Sequence, residues 1–244
     1  MLIGVWRPAA AQSTNTPPVE PRVTLTSEQV VNNLVRRNFE RAQELAAYQG
    51  TRIYRLEYQG FPGSRSAEMV VDVRYESPET KEFTIRSETG SKLIIEKVFK
   101  KLLQSEKEAL AKENQSRVAL NRDNYSFALT GQENSPAGSF YVLSVEPRTK
   151  NKLLYRGRIW VDAKDFAVAR IEGEPAKNPS FWTKDSKIEQ IYSKVGDFWL
   201  PTTNRSASTI RLGGRANLTI EYKDYQTTAV PPSKDSKSTL AGYR

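Results

Sequence analysis

Residues 138–172 read GSFYVLSVEPRTKNKLLYRGRIWVDAKDFAVARIE, and the fold class turns on them. Three runs of strand length, SFYVLSVEP, LLYRGRIWVD and FAVARIE, are rich in β-branched and aromatic residues and are separated by the short polar links RTKNK and AKD. Such runs, closed by polar punctuation of hairpin length, predict a three-stranded antiparallel meander. The alternation puts Tyr141, Leu143 and Val145 on one face, with Ile159 and Val161 on the same side of the next strand and Trp160 opposite.

Similar patterns extend in both directions. In TRIYRLEYQ, Tyr54, Leu56 and Tyr58 share a face. The turn Phe61-Pro62-Gly63-Ser64 leads into AEMVVDVRYE, where Met69, Val71, Val73 and Tyr75 alternate, and KEFTIRSE then turns Phe83 and Ile85 inward. Downstream, NYSFALTGQ precedes the meander, and Gly196-Asp197 and Gly213-Gly214 divide the C-terminal hairpins. Sheets of this kind have one apolar face that needs a cover.

Two segments have helical period instead. Thr26 and Gln29 form a capping box, with Leu25 and Val30 at the staple positions. Val30, Val31, Leu34, Val35, Ala42, Leu45 and Ala46 then recur at helical spacing, and Gly50 is the expected stop. The second segment, SKLIIEKVFKKLLQSEKEALAKE, carries a stripe of Ile94, Ile95, Val98, Phe99, Leu102 and Leu103 among lysines.

The termini read differently. Residues 1–11 resemble a truncated secretory signal ending in Ala9-Ala10-Ala11, and residues 12–25 form a Pro-containing flexible leader. A single domain is expected over residues 26–226, followed by a disordered tail over residues 227–244. No segment approaches the length of a membrane-spanning helix, so no stable transmembrane insertion is expected.

Composition removes much chemistry. With no Cys and no His, disulfides, thiol catalysis, His-based metal sites and Ser-His-Asp triads are excluded. Only Ca²⁺ or Mg²⁺ chemistry remains open to a metal, and no loop has the ligand spacing, so no cofactor is expected. The carboxylate pairs Asp162/Asp165 and Glu172/Glu174 lack a nucleophile or metal partner, and the first pair brackets a turn. No enzymatic activity is expected. A net charge of +9 favours anionic surfaces, yet the basic residues are dispersed and accompany no nucleic-acid motif.

By the layer rule, these elements give an α+β fold: a strongly curved antiparallel sheet of about ten strands, an incomplete β-barrel, with two amphipathic helices covering its concave face. NYSFALTGQ, FYVLSVEP, GRIWVDAKDFAVARIE and DFWLPTTNRSASTIRLGGRANLTIEYKDY, in that order, resemble the outer-membrane lipoprotein-sorting superfamily, the LolA/LolB-like proteins. The resemblance spans about residues 27–226. It implies an unclosed barrel, a helical lid, a hydrophobic cavity and a monomeric periplasmic carrier of lipoprotein acyl chains or other lipid. An inner-membrane transporter would be the donor and an outer-membrane receptor the acceptor. LolB-like members carry a lipidated Cys, which this chain lacks. The same fold also serves envelope-stress sensors or scaffolds that bind a protein partner, which is the alternative reading.

The expected lipid-binding wall follows from the alternating faces. Tyr54, Leu56 and Tyr58 come from the first strand, Met69, Val71 and Val73 from the second, and Phe83 and Ile85 from the third. Tyr141, Leu143, Val145, Ile159 and Val161 come from the meander, and Val98 and Leu102 from the lid. Each of these is equally a position for ordinary core packing. Arg36, Arg37, Lys97, Lys100 and Lys101 are candidate rim cations for an anionic headgroup or acidic partner.

Overall fold

Thr26 starts the first helix through side chain and backbone together. Its Oγ1 accepts from the Gln29 amide at 3.2 Å, and Gln29 Oε1 accepts from the Thr26 amide at 2.9 Å. The computed structural model describes residues 25–178, 183–211 and 213–231. The expected signal segment, most of the leader and the end of the expected tail lie outside the described residues.

Helix α1 (Ser27–Glu44) buries Val30, Val31 and Leu34, and Leu25 packs beside them. Burial of each such side chain stabilises by about 1.5–3 kcal/mol. The helix ends earlier than its period suggests. Leu45 and Ala46 were expected within it, but Leu45 is extended (φ −81°, ψ 104°) and begins β1 (Leu45–Gln59). The reason lies in the sheet: Leu45 pairs with Ala229 and Ala47 with Glu76, while the Val230 amide donates to the Glu44 carbonyl at 2.7 Å. Gly50 is correspondingly a strand residue rather than the helix stop. An added Cβ there would stand 3.0 Å from the Lys223 carbonyl oxygen and 3.1 Å from the Tyr225 ring.

Beyond β1 come β2 (Arg65–Glu76) and β3 (Thr80–Gly90). A helical segment follows, in which α2 (Lys92–Ile94) passes through a π-helical turn (Ile95–Phe99) into α3 (Lys100–Leu110). Ala111 then turns extended (φ −56°, ψ 135°) and separates the short α4 (Lys112–Val118). The rest is meander: β4 (Tyr125–Ser135), β5 (Gly138–Pro147), β6 (Tyr155–Asp162), β7 (Val168–Pro175), β8 (Thr183–Val195), β9 (Phe198–Ile210) and β10 (Arg215–Ala229).

The ten strands form one sheet in the order β3-β2-β1-β10-β9-β8-β7-β6-β5-β4, every pair antiparallel. Two meanders are thus joined along β1 and β10, and the helical segment links one edge strand, β3, to the other, β4. The edges stay apart and the barrel is incomplete. The last strand runs three residues past the expected boundary at Gln226, since Thr227, Thr228 and Ala229 pair with Tyr48, Ala47 and Leu45. The early start of β1 supplies that partner. No described helix is long and apolar enough to cross a membrane.

Candidate functional site

Residues paired across an antiparallel ladder project to the same face. One row can therefore be followed over nearly the whole sheet: Leu129, Leu143, Ile159, Ile171, Gln190, Asn204, Ile220, Tyr54 and Met69. It is apolar at both flanks and polar in the middle. Both helical segments lie on this face, each over one flank.

Under α1, Tyr141, Leu143, Val145, Ile159 and Val161 pack with Val30, Val31 and Leu34. Under the second helical segment, Tyr54, Leu56, Met69, Val71 and Val73 pack with Ile94, Ile95, Phe99 and Leu103. Every one of these sheet residues is a position expected to touch lipid. Met69, Val71, Leu143, Ile159 and Val161 each retain 0% of their accessible surface. A side chain lining a void that admits water would retain some. With the helices seated, these five are packed core.

The remaining expected positions lie further out. Tyr58, Phe83 and Val98 are half-buried against the second cluster, whereas Ile85 and Leu102 are exposed. Ile85 sits on edge strand β3, where no further strand covers it. On the helix, the buried stripe is Ile95, Phe99 and Leu103. In the π turn the Lys100 amide donates to the Ile95 carbonyl, five residues back, and this wider turn suits the spacing of four between the buried positions.

Between the flanks the face is open. The two clusters take in no residue of β9 and only Tyr192 of β8. Here Ile188, Gln190, Asn204, Ser206 and Leu218 are half-buried, and the Ser186 and Ser208 hydroxyls meet at 2.8 Å. Tyr155, Tyr192 and Tyr222 are also half-buried, and their hydroxyls have no hydrogen-bond partner among the described residues. Yet protein crowds them enough that burial pushes the Tyr192 phenol up to about 12 and those of Tyr155 and Tyr222 well up too. Tyr155 and Tyr192 pack against the first cluster and Tyr222 against the second, so these partly accessible phenols border a shallow hollow between the flanks. Its rings and aliphatic groups suit hydrocarbon, and its hydroxyls and amides suit the polar part of an amphiphile.

An ion cluster fixes α3 to the second flank. Arg52, 5% exposed, gives Glu106 two hydrogen bonds of 2.6 and 3.0 Å, and Lys81 Nζ adds a third at 2.5 Å. The Arg52 guanidinium also lies 4.9 Å from the Tyr222 ring centroid and 5.6 Å from that of Phe83. Burial alone would raise the Glu106 carboxyl, but the bonds and charge of Arg52, then Lys81, outweigh it and bring it down to about 2.

Other groups singled out in the sequence have structural employment. Asp162 Oδ1 accepts from the Lys164 and Asp165 amides at 2.9 and 2.7 Å, which builds the turn. Asp165 accepts from Lys194 at 2.7 Å and from Trp199 Nε1 at 2.9 Å. Arg41 donates to the carbonyls of Asp165 and Phe166 at 2.8 and 3.0 Å, so the turn is where α1 is moored. Trp160 is 6% exposed on the opposite face, where it packs with Phe140 and Ala169 and donates to Glu133 at 2.7 Å. On that face a groove of about 710 Å³ is crossed by the pairs Arg158–Glu172 and Arg205–Glu189, both 3.1 Å, which neutralise one another. Among the rim candidates, Arg36 and Arg37 pair with Glu40, and Lys100 pairs with Glu88 and Glu96.

Reading for apolar alternation missed Arg52, Glu106, Lys81 and the tyrosine hollow. A signal for the first did exist: Arg52 stands in phase with Tyr54, Leu56 and Tyr58, a cation on an otherwise apolar face. Glu106 likewise follows Phe99 and Leu103 at helical spacing.

Fold and site define an open, incomplete barrel with helices laid across one face. No family model and no curated protein matches the chain. Solved structures similar to it include a candidate outer membrane lipoprotein-sorting protein domain from Vibrio parahaemolyticus, at 12% identity over 83% of this chain and 94% of that one, with a TM-score of 0.42. A DUF1329 family protein from Desulfovibrio piger shares 15% identity over 86% of this chain and 96% of that one, with a TM-score of 0.44. A LolA superfamily protein from Nitrosomonas europaea shares 11% over 85% and 96%, with a TM-score of 0.39. At these identities the similarity concerns the course of the chain.

Proposed function

We propose that the protein is a non-enzymatic periplasmic carrier that holds lipoprotein acyl chains, or another lipid, on its helix-bearing face and takes part in sorting lipoproteins to the outer membrane. The observation that carries this reading is the inward row itself, with apolar flanks under two separately seated helices and an open hollow between them. A chain would enter at Ile188, Leu218, Tyr192 and Tyr222. It would extend over the second flank as α3 shifts, replacing helix contacts on Tyr54, Leu56, Met69, Val71 and Val73 with its own, or over the first as α1 shifts from Tyr141 to Val161. Each methylene buried contributes about 0.8 kcal/mol, so ten of them offset a helix displacement costing several kcal/mol. A donor at the inner membrane and an acceptor at the outer membrane are the partners such a carrier needs.

The test is direct. Protein purified without denaturation is extracted with organic solvent, the extract is read by mass spectrometry, and a fluorescent acyl probe is titrated into the delipidated chain. Co-purified acyl lipid and saturable probe binding are expected. An empty extract together with a probe that does not bind refutes the carrier and leaves protein binding as the use of the fold.

A further inference from the structure

One end of the sheet is assembled from three segments distant in sequence: residues 59–66 from the end of β1 to the start of β2, residues 90–93 leading from β3 into α2, and residues 211 and 213–215 from the turn after β9 to the start of β10. The Tyr58 hydroxyl ties the first to the third, lying 2.7 Å from the Phe61 carbonyl oxygen and 3.0 Å from that of Gly213. The backbones nearly touch, since a Cβ added at Gly60 would stand 2.7 Å from the Gly214 Cα. The Ser91 amide donates to the Ser66 carbonyl at 2.8 Å and holds the second segment to the first.

On this frame, apolar side chains face water. Phe61 is 81% exposed, the highest value among the large hydrophobics described, and Leu93 is 55% exposed. The three segments contain Arg65, Lys92, Arg211 and Arg215 and no Asp or Glu. Arg65, Lys92 and Arg215 are exposed and make no ion pair among the described residues. Other cations on the sheet are matched, among them Arg55, which pairs with both Glu68 and Glu221 at 2.7 Å. Exposed apolar groups ringed by unmatched cations at the tip of a molecule complement a surface that is negative outside and apolar beneath. An anionic phospholipid bilayer has that profile: headgroup phosphates attract Lys and Arg, and aromatic rings settle at headgroup depth.

We infer that this tip docks on anionic phospholipid bilayers, with Phe61 and Leu93 entering the interface and Arg65, Lys92 and Arg215 on the phosphates. Leu93 and Lys92 begin the helical segment that covers the second flank, so docking brings that segment's start to the bilayer. The inference is independent of whether a lipid is carried.

The full chain is sedimented with vesicles of phosphatidylcholine alone and of phosphatidylcholine mixed with phosphatidylglycerol. It should pellet with the mixed vesicles only. Arg65→Gln and Arg215→Gln should each weaken that association about fivefold, the worth of one cation near such a surface. Phe61→Ser should weaken it as well. Because Phe61 lies outside the core, circular dichroism of the variants should match the parent. Phe61→Trp needs no loss of binding to be informative, and its emission should shift to the blue with mixed vesicles beyond the change of the parent's four tryptophans. Equal binding to both vesicles, no binding to either, insensitivity to both Arg substitutions, or an unshifted Phe61→Trp emission would each overturn the inference. Retention by an acidic protein in place of the mixed vesicles would do the same.

Discussion

Replacing Glu106 with Gln should loosen the cover of the second flank, and its size follows from the ion cluster. The carboxylate sits between Arg52 and Lys81, whose side chains are 6% and 8% exposed, so its loss leaves two buried cations facing each other, Arg52 beside Tyr54 and Tyr222 and Lys81 beside the rings of Tyr48 and Tyr75. Removing one member of such a buried group costs about 3–5 kcal/mol. The titration gives a second route. The Glu106 carboxyl falls from 4.5 to about 2, which corresponds to about 3 kcal/mol, and its 32% exposure discounts this to about 2 kcal/mol. As the folded value is the depressed one, that stability is present above pH 4.5 and is lost as pH falls towards about 2. Urea unfolding read by tryptophan emission should therefore place Glu106→Gln about 2–4 kcal/mol below the parent at pH 7, and the gap should narrow steadily below pH 4.5. Hydrogen exchange should quicken first in residues 100–110, since the cluster moors that helix. A gap below about 0.5 kcal/mol, or one indifferent to pH, refutes the reasoning. The triple replacement Arg52→Met, Lys81→Met and Glu106→Leu should recover most of the loss, because it leaves no charge of the cluster buried and unpaired.

Other expectations follow from the same geometry. Leu218→Glu places a charge in the half-buried hollow and should weaken acyl-probe binding at least tenfold while costing less than about 1–2 kcal/mol of stability, which parallel titration and melting would separate. Leu143→Ala, at a residue with 0% exposure, should lower stability by about 2–5 kcal/mol in a urea titration. Arg41→Met removes two bonds to the turn carbonyls of Asp165 and Phe166 and should raise hydrogen exchange in α1 before it affects the sheet. Tyr192, pushed up to about 12 from 10.0, favours the folded state below pH 10. That contribution is lost as pH rises to about 12, so its tyrosinate absorbance should appear together with unfolding, and Tyr192→Phe should remove that share of the alkaline loss.

The strands were legible because each advertises its inward face by alternation, and Gly196-Asp197 and Gly213-Gly214 mark where the chain reverses. The start of α1 was equally legible, since Thr26, Gln29, Leu25 and Val30 act on one another within a single turn. Its end was not. Leu45 and Ala46 continue the helical period, and what removes them is pairing with Ala229 and neighbours almost the whole chain away. The π turn had no local signature either, and it decided that Phe99 and Leu103, not Leu102, became the buried face of the second helical segment.

The same distinction explains why the walls were visible and the hollow was not. Tyr141, Leu143, Val145, Ile159 and Val161 belong to neighbouring hairpin strands, so one short stretch displays them together. The hollow draws Tyr155 from β6, Tyr192 from β8, Asn204 from β9 and Leu218 and Tyr222 from β10, and only the register across four strand pairs sets them side by side. Gln190 and Asn204 look like solvent-facing positions when each strand is read alone, yet they pair with each other and flank Ile171 and Ile220 in the inward row. A polar centre between apolar flanks is poorly suited to stay closed, because helices that covered it would strand hydroxyls and amides without water. The helices stop at its borders for that reason, and the gap they leave is the part of the face where a ligand meets the least competition from the protein itself.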